Sequence, residues 1–444
     1  MRTADITIAL LLIASGCGAR EGPLGPARAP RDADTDATNT SDGAGADSTA
    51  TDIHPADAGT VRPPDDAGSM APSEPCAEGI RHVWIDMPPR SFRDAPRTPR
   101  IIGVADQALV LDVDQPARGG VILGRVALVD ARAGALEWST DVELPLSAFA
   151  NPPVPIGARR VAGGWEAAWV QPLGGWLGVT VRFDDDGRVM EVVPIDDAAG
   201  HSVVTIYSAT DDDDGYWLTA RSPSDDTVLI RIRDGRAEAI PTALFHPIAG
   251  LRLDVAERGP LARAGSAGVV GAFRQLVGDD VFRLTTVRIA DSTFEEPLSN
   301  VPLEDTTHAD LDRVVVSGDL AGAVVAASYY APPRIVLHWL DGALRESARS
   351  TFPISGAAYP FFVGVASTAS ARAVAMVRFE AGTDLLFGLV RDVGDIEGAL
   401  RPVISVPDSG FPYTAALWST PTTFHLGWWR GDLEILSFAC GATP

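Results

Sequence analysis

A short pattern that recurs along the chain restricts the possible folds more than any other feature of the sequence. Each copy consists of one apolar or alternating run, a tight turn rich in Asp or Gly, and a second run that often ends in Pro. Short runs of this kind bounded by turn residues are typical of β-strands, so each copy predicts a β-hairpin. The turns lie roughly 50 residues apart, which indicates a repeat architecture. They are centred near Gly134, Gly187, Gly235, Asp291, Gly342 and Gly394.

The stretch from His201 to Pro241 displays one whole repeat, because it contains four short apolar-rich runs separated by turn residues. Other hairpins are also preceded by two strand-like runs, for example in residues 311–332 before the turn at Gly342. Four strands per unit, repeated in series, predict an all-β fold of the β-propeller type, with one unit per blade. The alternative is two unrelated all-β domains, similar to β-sandwiches.

The final unit is one strand short. Residues 411–420, 423–431 and 432–440 predict three strands, and the fourth is supplied by the segment Ile80–Asp86 near the other end of the chain. An N-terminal strand that completes the last blade closes the ring and removes two open sheet edges, which are a liability in β-proteins. Six complete units and one shared unit predict seven blades, with six or eight as alternatives.

The N-terminus carries the pattern of an export signal. Arg2 precedes an apolar run, Ile6–Ala14, that is too short to span a bilayer and fits the core of a signal peptide. The run ends in Ala14-Ser15-Gly16-Cys17, which resembles the lipobox of bacterial lipoproteins, although Ala14 stands where leucine is commonest. An ordinary secretory signal is the alternative.

The lipobox resemblance implies a signal peptide of residues 1–16, cleavage before Cys17, acylation of Cys17 and anchorage to the membrane. Gly18, which is not an aspartate, implies the outer rather than the inner membrane. Residues 17–75 are mainly Ala, Asp, Gly, Thr, Ser and Pro, so they predict a disordered acidic tether. Residues 76–444 then form the propeller. The formal charge of −23 argues against a nucleic-acid partner, because phosphate repels an acidic chain.

Two further cysteines, Cys76 and Cys440, lie at the two ends that the closure model brings together. Cys76 precedes the N-terminal strand, and Cys440 ends the third strand of the last unit. In an antiparallel pair these ends are neighbours, and an exported protein is in an oxidising compartment. We therefore predict a disulfide between them, with free buried thiols as the alternative.

Motifs for catalysis are missing from the sequence, which contains no G-x-S-x-G, H-E-x-x-H or P-loop pattern. Two acidic turns, Asp184–Asp186 and Asp211–Asp214, have oxygen ligands that suit calcium, but aspartate also favours turns by bonding to its own backbone. The densest set of potential ligands is the predicted loop Glu304–Asp312, at a face of the ring. Its candidate metal ligands are Asp305, His308, Asp310 and Asp312.

One segment, Ala127–Trp138, resembles the repeat of quinoprotein-like propellers, in which a D-A-x-T-G-x-x-x-W pattern docks a tryptophan between blades. Ala133 replaces the threonine, and the other units lack the pattern. The resemblance implies a propeller and adds little support for a quinone cofactor.

These observations predict a monomeric lipoprotein of the cell envelope whose propeller binds a protein or a glycan, without an evident cofactor. Its signal, acidic tether and propeller resemble lipoproteins of GC-rich Gram-negative bacteria. The alternative is a secreted propeller enzyme, a hydrolase or lyase, with its site at the channel mouth.

Overall fold

The computed structural model describes residues 76, 80–85, 99–114, 120–146, 153–173, 175–196, 205–221, 227–239, 260–265, 268–276, 281–289, 300–307, 311–319, 322–330, 332–353, 359–379, 382–390, 400–406, 414–429 and 433–440. All of them belong to one unit, Pro64–Pro444. They form 28 strands in seven antiparallel sheets of four. None of the described residues forms a helix with the length and apolar character needed to cross a membrane.

The sheets are the blades of a β-propeller, numbered here 1 to 7. The first strand of the chain, β1 (Ile80–Ile85), belongs to blade 7. Blade 1 contains β2 (Arg100–Val104), β3 (Gln107–Asp114), β4 (Ile122–Asp130) and β5 (Ala135–Leu144). Blade 2 contains β6 (Val154–Val161), β7 (Gly164–Leu173), β8 (Gly175–Phe183) and β9 (Val189–Ile195). Blade 3 contains β10 (Thr205–Asp211), β11 (Gly215–Arg221), β12 (Thr227–Arg233) and β13 (Arg236–Ala239).

The remaining blades follow in chain order. Blade 4 contains β14 (Leu261–Arg263), β15 (Val269–Leu276), β16 (Val281–Ile289) and β17 (Asn300–Thr307). Blade 5 contains β18 (Leu311–Asp319), β19 (Gly322–Tyr330), β20 (Pro333–Leu340) and β21 (Glu346–Pro353). Blade 6 contains β22 (Tyr359–Ser367), β23 (Arg372–Phe379), β24 (Thr383–Leu389) and β25 (Arg401–Val406). Blade 7 contains β26 (Thr414–Ser419), β27 (Thr423–Trp429) and β28 (Leu433–Ala439), and β1 is its outermost strand.

The first strands of the blades form the inner ring. Each contacts the first strand of the next blade, and β26 of blade 7 contacts β2 of blade 1, which closes the circle. The predicted seven four-stranded blades and the N-terminal closing strand are therefore confirmed. The predicted turns at Gly134, Gly187, Gly235 and Gly342 all lie between the third and fourth strands of a blade, whereas Asp291 and Gly394 lie outside the described residues.

The hydrophobic core lies between the blades. Seven clusters of buried side chains among the described residues each join two successive blades, including blades 7 and 1. A middle strand is covered on both faces, so β3 and β28 have continuous runs of buried residues. An outer strand such as β21 alternates between exposed and more buried positions, because successive side chains point to opposite faces of the sheet and one of the two faces is covered less.

The disulfide that the sequence predicts is present at the seam of the ring. Cys76 and Cys440 are joined with an S–S distance of 2.16 Å, and both residues are buried. Strand β1 pairs antiparallel with β28, from Ile80 opposite Phe438 to Ile85 opposite Leu433. The covalent bond thus holds the outermost strand of blade 7 to the end of its neighbour.

The inner part of the same seam is closed by Trp418 of blade 7. Its indole Nε1 donates to the carbonyl oxygen of Ala105 in blade 1 at 3.0 Å. The indole ring of Trp418 covers Gly103. A Cβ atom on Gly103 would lie 2.0 Å from Trp418 Cγ, so a side chain at this position would displace the tryptophan. The buried imidazole of His425 stacks on Trp418 and contacts Asp106 Oδ1 of blade 1 through Nε2 at 3.2 Å. Burial lowers the pKa of His425, and the contact with Asp106 opposes that effect.

Candidate functional site

A cavity of about 200 Å³ opens between blades 2 and 3. It lies on the face of the ring that carries the turns between first and second strands and between third and fourth strands. Blade 3 contributes both of its turns on this face, through Asp214 and Gly215 and through Asp234 and Gly235. The opposite wall is the face of blade 2, with four charged side chains in one row. We call this cavity the blade 2–3 groove.

The charged residues of blade 2 come from four successive strands that the register aligns. Arg159 of β6 is opposite Glu166 of β7, which is opposite Arg182 of β8, which is opposite Glu191 of β9. The signs alternate, and directly opposite side chains on one face of an antiparallel sheet are close enough to pair. We call these four residues the charge row.

Glu166 is the centre of the charge row. Its Oε1 accepts from Arg159 Nε at 2.8 Å, and its Oε2 accepts from Arg182 Nε at 3.1 Å. Arg182 also lies 3.5 Å from Glu191 through Nη1. The Glu166 side chain is buried, so its carboxylate is removed from water. The two charge-assisted hydrogen bonds from the arginines compensate for that loss. Both carboxylate oxygens are therefore occupied by arginines, one from each neighbouring strand.

Blade 3 contacts the charge row through its first turn and its second strand. Arg159 Nη1 donates to the carbonyl oxygen of Asp213, and Tyr216 Oη donates to the main-chain oxygen of Glu166 at 3.1 Å. Burial lowers the pKa of the Arg159 guanidinium, but the hydrogen bond to Glu166, the charge of Glu166 and the contact with Tyr216 together outweigh burial, so the net pKa is raised. Burial raises the pKa of the Tyr216 phenol well above its usual range, so Tyr216 remains a neutral donor.

The outermost strand of blade 2 also carries exposed apolar side chains, with Val189 and Val192 on the sheet face opposite to the charge row, because they pair with Phe183 and Val181 of the blade 1–2 core. Met190 is 68% exposed and Val192 is 36% exposed, and Val189 on the same strand is also exposed. Pairing between β8 and β9 shifts register at Arg182 and Phe183, so Met190 is the extra residue of a β-bulge. Three exposed apolar side chains therefore flank Glu191 of the charge row. We call Val189, Met190 and Val192 the apolar edge.

The two acidic turns form their own hydrogen bonds. Asp184 Oδ1 accepts from the backbone amides of Asp186 at 3.0 Å and Arg188 at 2.8 Å. Asp212 Oδ1 accepts from the amide of Asp213, and its Oδ2 accepts from Trp217 Nε1. These contacts are the turn interactions that the sequence favoured. In the ranges that the structure describes, no three acidic, histidine or cysteine side chains lie together as metal ligands.

The prediction that all of Glu304–Asp312 forms a loop is wrong. Glu304–Thr307, including Asp305, belong to β17, and Asp312 belongs to β18 of the next blade, which leaves three residues to connect them. Asp305 is opposite Arg283 in the β16–β17 register. His308 and Asp310 lie outside the described residues, so the metal site stays a prediction.

Trp138 of the quinoprotein-like segment lies at the interface of blades 1 and 2. Its ring stacks on Phe183 of blade 2 with centroids 5.8 Å apart. Gly187 in the next turn has φ +78°, and a Cβ atom there would lie 2.4 Å from Trp138 Cδ2. The tryptophan therefore packs between blades, and a glycine is required beneath it. Cys17 and the acidic tether before Cys76 lie outside the described residues.

The charge row and the apolar edge were not identified from the sequence. The sequence contains one signal that could have revealed the charge row, the lone glutamate inside the apolar run Gly164–Leu173. A carboxylate that is buried in such a strand requires a cationic partner. Arg159, Arg182 and Glu191 are ordinary strand residues until the register is known. The apolar edge has no local signal, since valine is common in strands.

Comparison with known proteins does not assign a function. No protein-family model matches the chain, and no curated protein matches it. Among solved structures it is similar to TolB from Acinetobacter baumannii, with 10% identity and a TM-score of 0.35 over 76% of this chain and 81% of that one. A puromycin-hydrolyzing peptidase from Mycobacterium tuberculosis is similar at 13% identity and a TM-score of 0.43, over 81% of this chain and 51% of that one.

A further similar structure is the β-propeller domain of the Trilobed protease from Pyrococcus furiosus. It shares 7% identity with a TM-score of 0.38, over 76% of this chain and 98% of that one. At these identities and TM-scores the likenesses carry no argument about activity. The chain is a seven-bladed β-propeller by its own strand topology.

Proposed function

We propose that this protein is an exported, lipid-anchored propeller that binds a protein partner on blade 2. The apolar edge contributes the centre of the contact, and the exposed charged side chains of Arg182 and Glu191 at the same edge of the sheet contribute its polar border. The observation that carries the proposal is the concentration of exposed apolar side chains on β9. Three of the seven large apolar residues exposed in the described part of the chain lie on this one strand.

The composition of this surface matches a protein interface. Contacts between proteins have an apolar core enriched in methionine and a polar rim, and clustered apolar exposure marks such sites. Met190 is flexible and polarizable, which allows it to pack against surfaces of differing shape. Arg182 and Glu191 stand beside it, both partly exposed, and supply a charge of each sign at the rim. The bulge at Met190 disfavours simple strand addition, so the side chains rather than the backbone make the contact.

A protein partner is favoured over a glycan by the kind of apolar side chain that is exposed. The large apolar residues exposed in the described ranges are valine, leucine and methionine, and none is aromatic. Aliphatic groups suit the dry core of a protein interface. The paired arginines and carboxylates of the groove also suit backbone and side-chain groups of a polypeptide.

Photo-crosslinking in intact cells tests the binding surface. With benzoylphenylalanine in place of Met190, we expect a discrete protein adduct. The adduct yield should fall about tenfold when Val192→Asp is added, because burying an unpaired carboxylate in the interface costs at least ~1.4 kcal/mol of binding. Adduct yield on denaturing gels and the adduct's mass are the readouts.

A matched control uses Val281, which is 40% exposed on β16 of blade 4. The photo-reactive residue at this position should give no such adduct, and Val281→Asp should leave the Met190 adduct unchanged. Equal adducts from positions 190 and 281, or an adduct that is indifferent to Val192→Asp, would contradict binding on blade 2.

The lipid anchor is supported by the lipobox-like residues before Cys17 and by the disulfide, which suits an exported protein. We expect Cys17→Ala to move the protein from the membrane fraction to the soluble fraction, because the acyl chains that would bury about 0.8 kcal/mol per CH₂ are lost. Immunoblots of separated fractions provide the measurement. The Cys76→Ser/Cys440→Ser double variant keeps Cys17 and should remain with the membrane. A Cys17→Ala protein that still sediments with membranes would rule out acylation as the anchor.

A further inference from the structure

We infer that the blade 2–3 groove binds a primary ammonium group carried on a short alkyl chain. The cavity has a volume of about 200 Å³. Pockets for drug-sized ligands measure roughly 300 to 1,000 Å³, so this one suits a single side chain or a molecule of that size. The inference goes beyond the protein contact proposed above, because Val189 and Val192 of the apolar edge lie on the opposite face of blade 2.

The floor of the groove contains a buried hydroxyl group without a hydrogen bond of normal length. Thr180 is 6% exposed, and its Oγ1 lies 3.5 Å from the carbonyl oxygen of Val193. A hydroxyl group bonds to oxygen at about 2.5 to 3.0 Å, so this contact leaves most of its capacity unused. A buried polar group without a good partner is costly, and a ligand that reaches Thr180 would supply the partner.

Apolar side chains beside Thr180 suit an alkyl chain. Val193 of β9 and the buried Ile232 of β12 line the groove on its two walls. Gly235 keeps the space between them clear, since its φ is +71° and a Cβ atom there would lie 2.9 Å from Val193 Cγ1. The groove thus combines one deep polar atom with an aliphatic lining.

Carboxylates outnumber arginines on the lining of the groove. Glu166 is compensated by the two arginines of the charge row, at 2.8 and 3.1 Å. Asp214 pairs with Arg233 at 2.9 Å. Two carboxylates remain. The charged side chains of the lining are Arg159, Glu166, Arg182, Glu191, Asp214 and Asp234.

The two remaining carboxylates, Glu191 and Asp234, form the rim and have only loose ion pairs among the described residues. Glu191 is 54% exposed and lies 3.5 Å from Arg182, and Asp234 is 84% exposed and lies 3.7 Å from Arg233. Charge-assisted hydrogen bonds are shorter, at about 2.7 to 2.9 Å. The groove therefore offers a cation two rim carboxylates and, at its floor, the Thr180 hydroxyl oxygen.

These acceptors favour an ammonium group over other cations. They lie on opposite walls, and an ammonium group is a compact charge whose three donors can face separate acceptors. A guanidinium group instead matches one carboxylate in its own plane. A metal ion is disfavoured, because the described residues hold no group of three carboxylate, histidine or cysteine ligands.

Two sources carry this chemistry, a free alkyl amine and a lysine side chain of another polypeptide. The present chain contains no lysine, so neither its own side chains nor those of a second copy supply the group.

Calorimetric titration of the mature protein at low ionic strength tests the site with three probes. They are diaminobutane, lysine capped at both ends, and norleucine capped in the same way, which is the lysine probe without its ammonium group. We expect at least one amine to bind and norleucine to bind much more weakly. Binding of diaminobutane alone would identify a free amine as the ligand, and binding of capped lysine alone would identify a side chain.

The variants address the floor and the rim separately. Thr180→Val keeps the shape of the side chain and should weaken amine binding roughly tenfold, the lower end for a hydrogen bond to a charged group. Glu191→Gln/Asp234→Asn should weaken binding and reduce its dependence on salt. Glu143→Gln, an exposed position on the outermost strand of blade 1, should leave binding unchanged.

A second measurement uses the unaltered protein, so it does not depend on the folding of a variant. Carbodiimide coupling of the amine that binds, mapped by mass spectrometry, should label Glu191 or Asp234 more than Glu143. Equal labelling of these positions, no amine binding by the wild type, norleucine binding as tight as that of lysine, or wild-type affinity in both groove variants would overturn the inference.

The site and the proposed protein contact fail separately. Thr180→Val should leave the photo-adduct at position 190 unchanged, because Thr180 faces the groove and not the apolar edge. A protein without the photo-adduct should still bind the amine.

Discussion

Breaking the Cys76–Cys440 disulfide is expected to lower the free energy of unfolding by about 4 to 5 kcal/mol, the value for a long closed loop in the chain-entropy model. The bond spans 364 residues, so it removes a large part of the freedom of the unfolded chain. It also holds β1 against β28, and without it the outermost strand of blade 7 loses its covalent link to that neighbour and keeps the strand pairing. Urea denaturation of the Cys76→Ser/Cys440→Ser double variant measures the loss.

Two controls isolate the seam. Cys17→Ser should show the wild-type midpoint, because Cys17 is not part of the disulfide. Hydrogen exchange should accelerate more in β28 of the double variant than in β15 of blade 4, because β28 is affected by local opening of the seam as well as by the lower global stability. A double variant with the wild-type midpoint would show that the strand pairing alone keeps the ring shut.

Asp319→Ala is expected to lower the free energy of unfolding by about 3 to 5 kcal/mol, the usual cost of removing one member of a buried ion pair. Its side chain is 1% exposed at the end of β18 in blade 5. Oδ2 accepts from Arg372 Nε and from Ser367 Oγ of blade 6, both at 2.6 Å, and Oδ1 accepts from the Gly322 amide. The variant leaves the Arg372 guanidinium, which stacks on Trp339, without its carboxylate.

The matched control is Asp384→Ala, which removes a carboxylate from a more exposed pair with Arg378 on blade 6. Exposed ion pairs contribute roughly 0 to 1 kcal/mol, so this variant should unfold close to the wild-type midpoint. Thermal and urea unfolding of both variants give the comparison. Equal losses for Asp319→Ala and Asp384→Ala would mean that the blade 5–6 contact does not depend on the buried carboxylate.

The sequence was sufficient to predict the propeller because the repeat is a local signal. Alternating or apolar runs and Asp-Gly turns report on a few consecutive residues, and blade 3 matches His201–Pro241 closely. The closing strand and the disulfide followed from a count of strands, because one blade was short by one strand and two cysteines lay beside the gap. The error at Glu304–Asp312 has the same origin, since a polar composition resembles a loop when the strand lies at a solvent-facing edge.

The sequence by itself predicted the four-stranded repeat, the turns at Gly134, Gly187, Gly235 and Gly342, a ring with seven blades as the favoured count, and the seam. Only the tertiary structure decided which side chains meet inside the molecule. Arg159, Glu166, Arg182 and Glu191 form one row because the registers of three strand pairs coincide, and a shift of one residue would turn each side chain to the other face. Arg100 of blade 1 meets Ala209 of blade 3 because the first strands of successive blades converge on the inner ring. Such contacts depend on strand register and on closure of the ring. Both are properties of the whole ring and cannot be inferred from a short stretch of sequence.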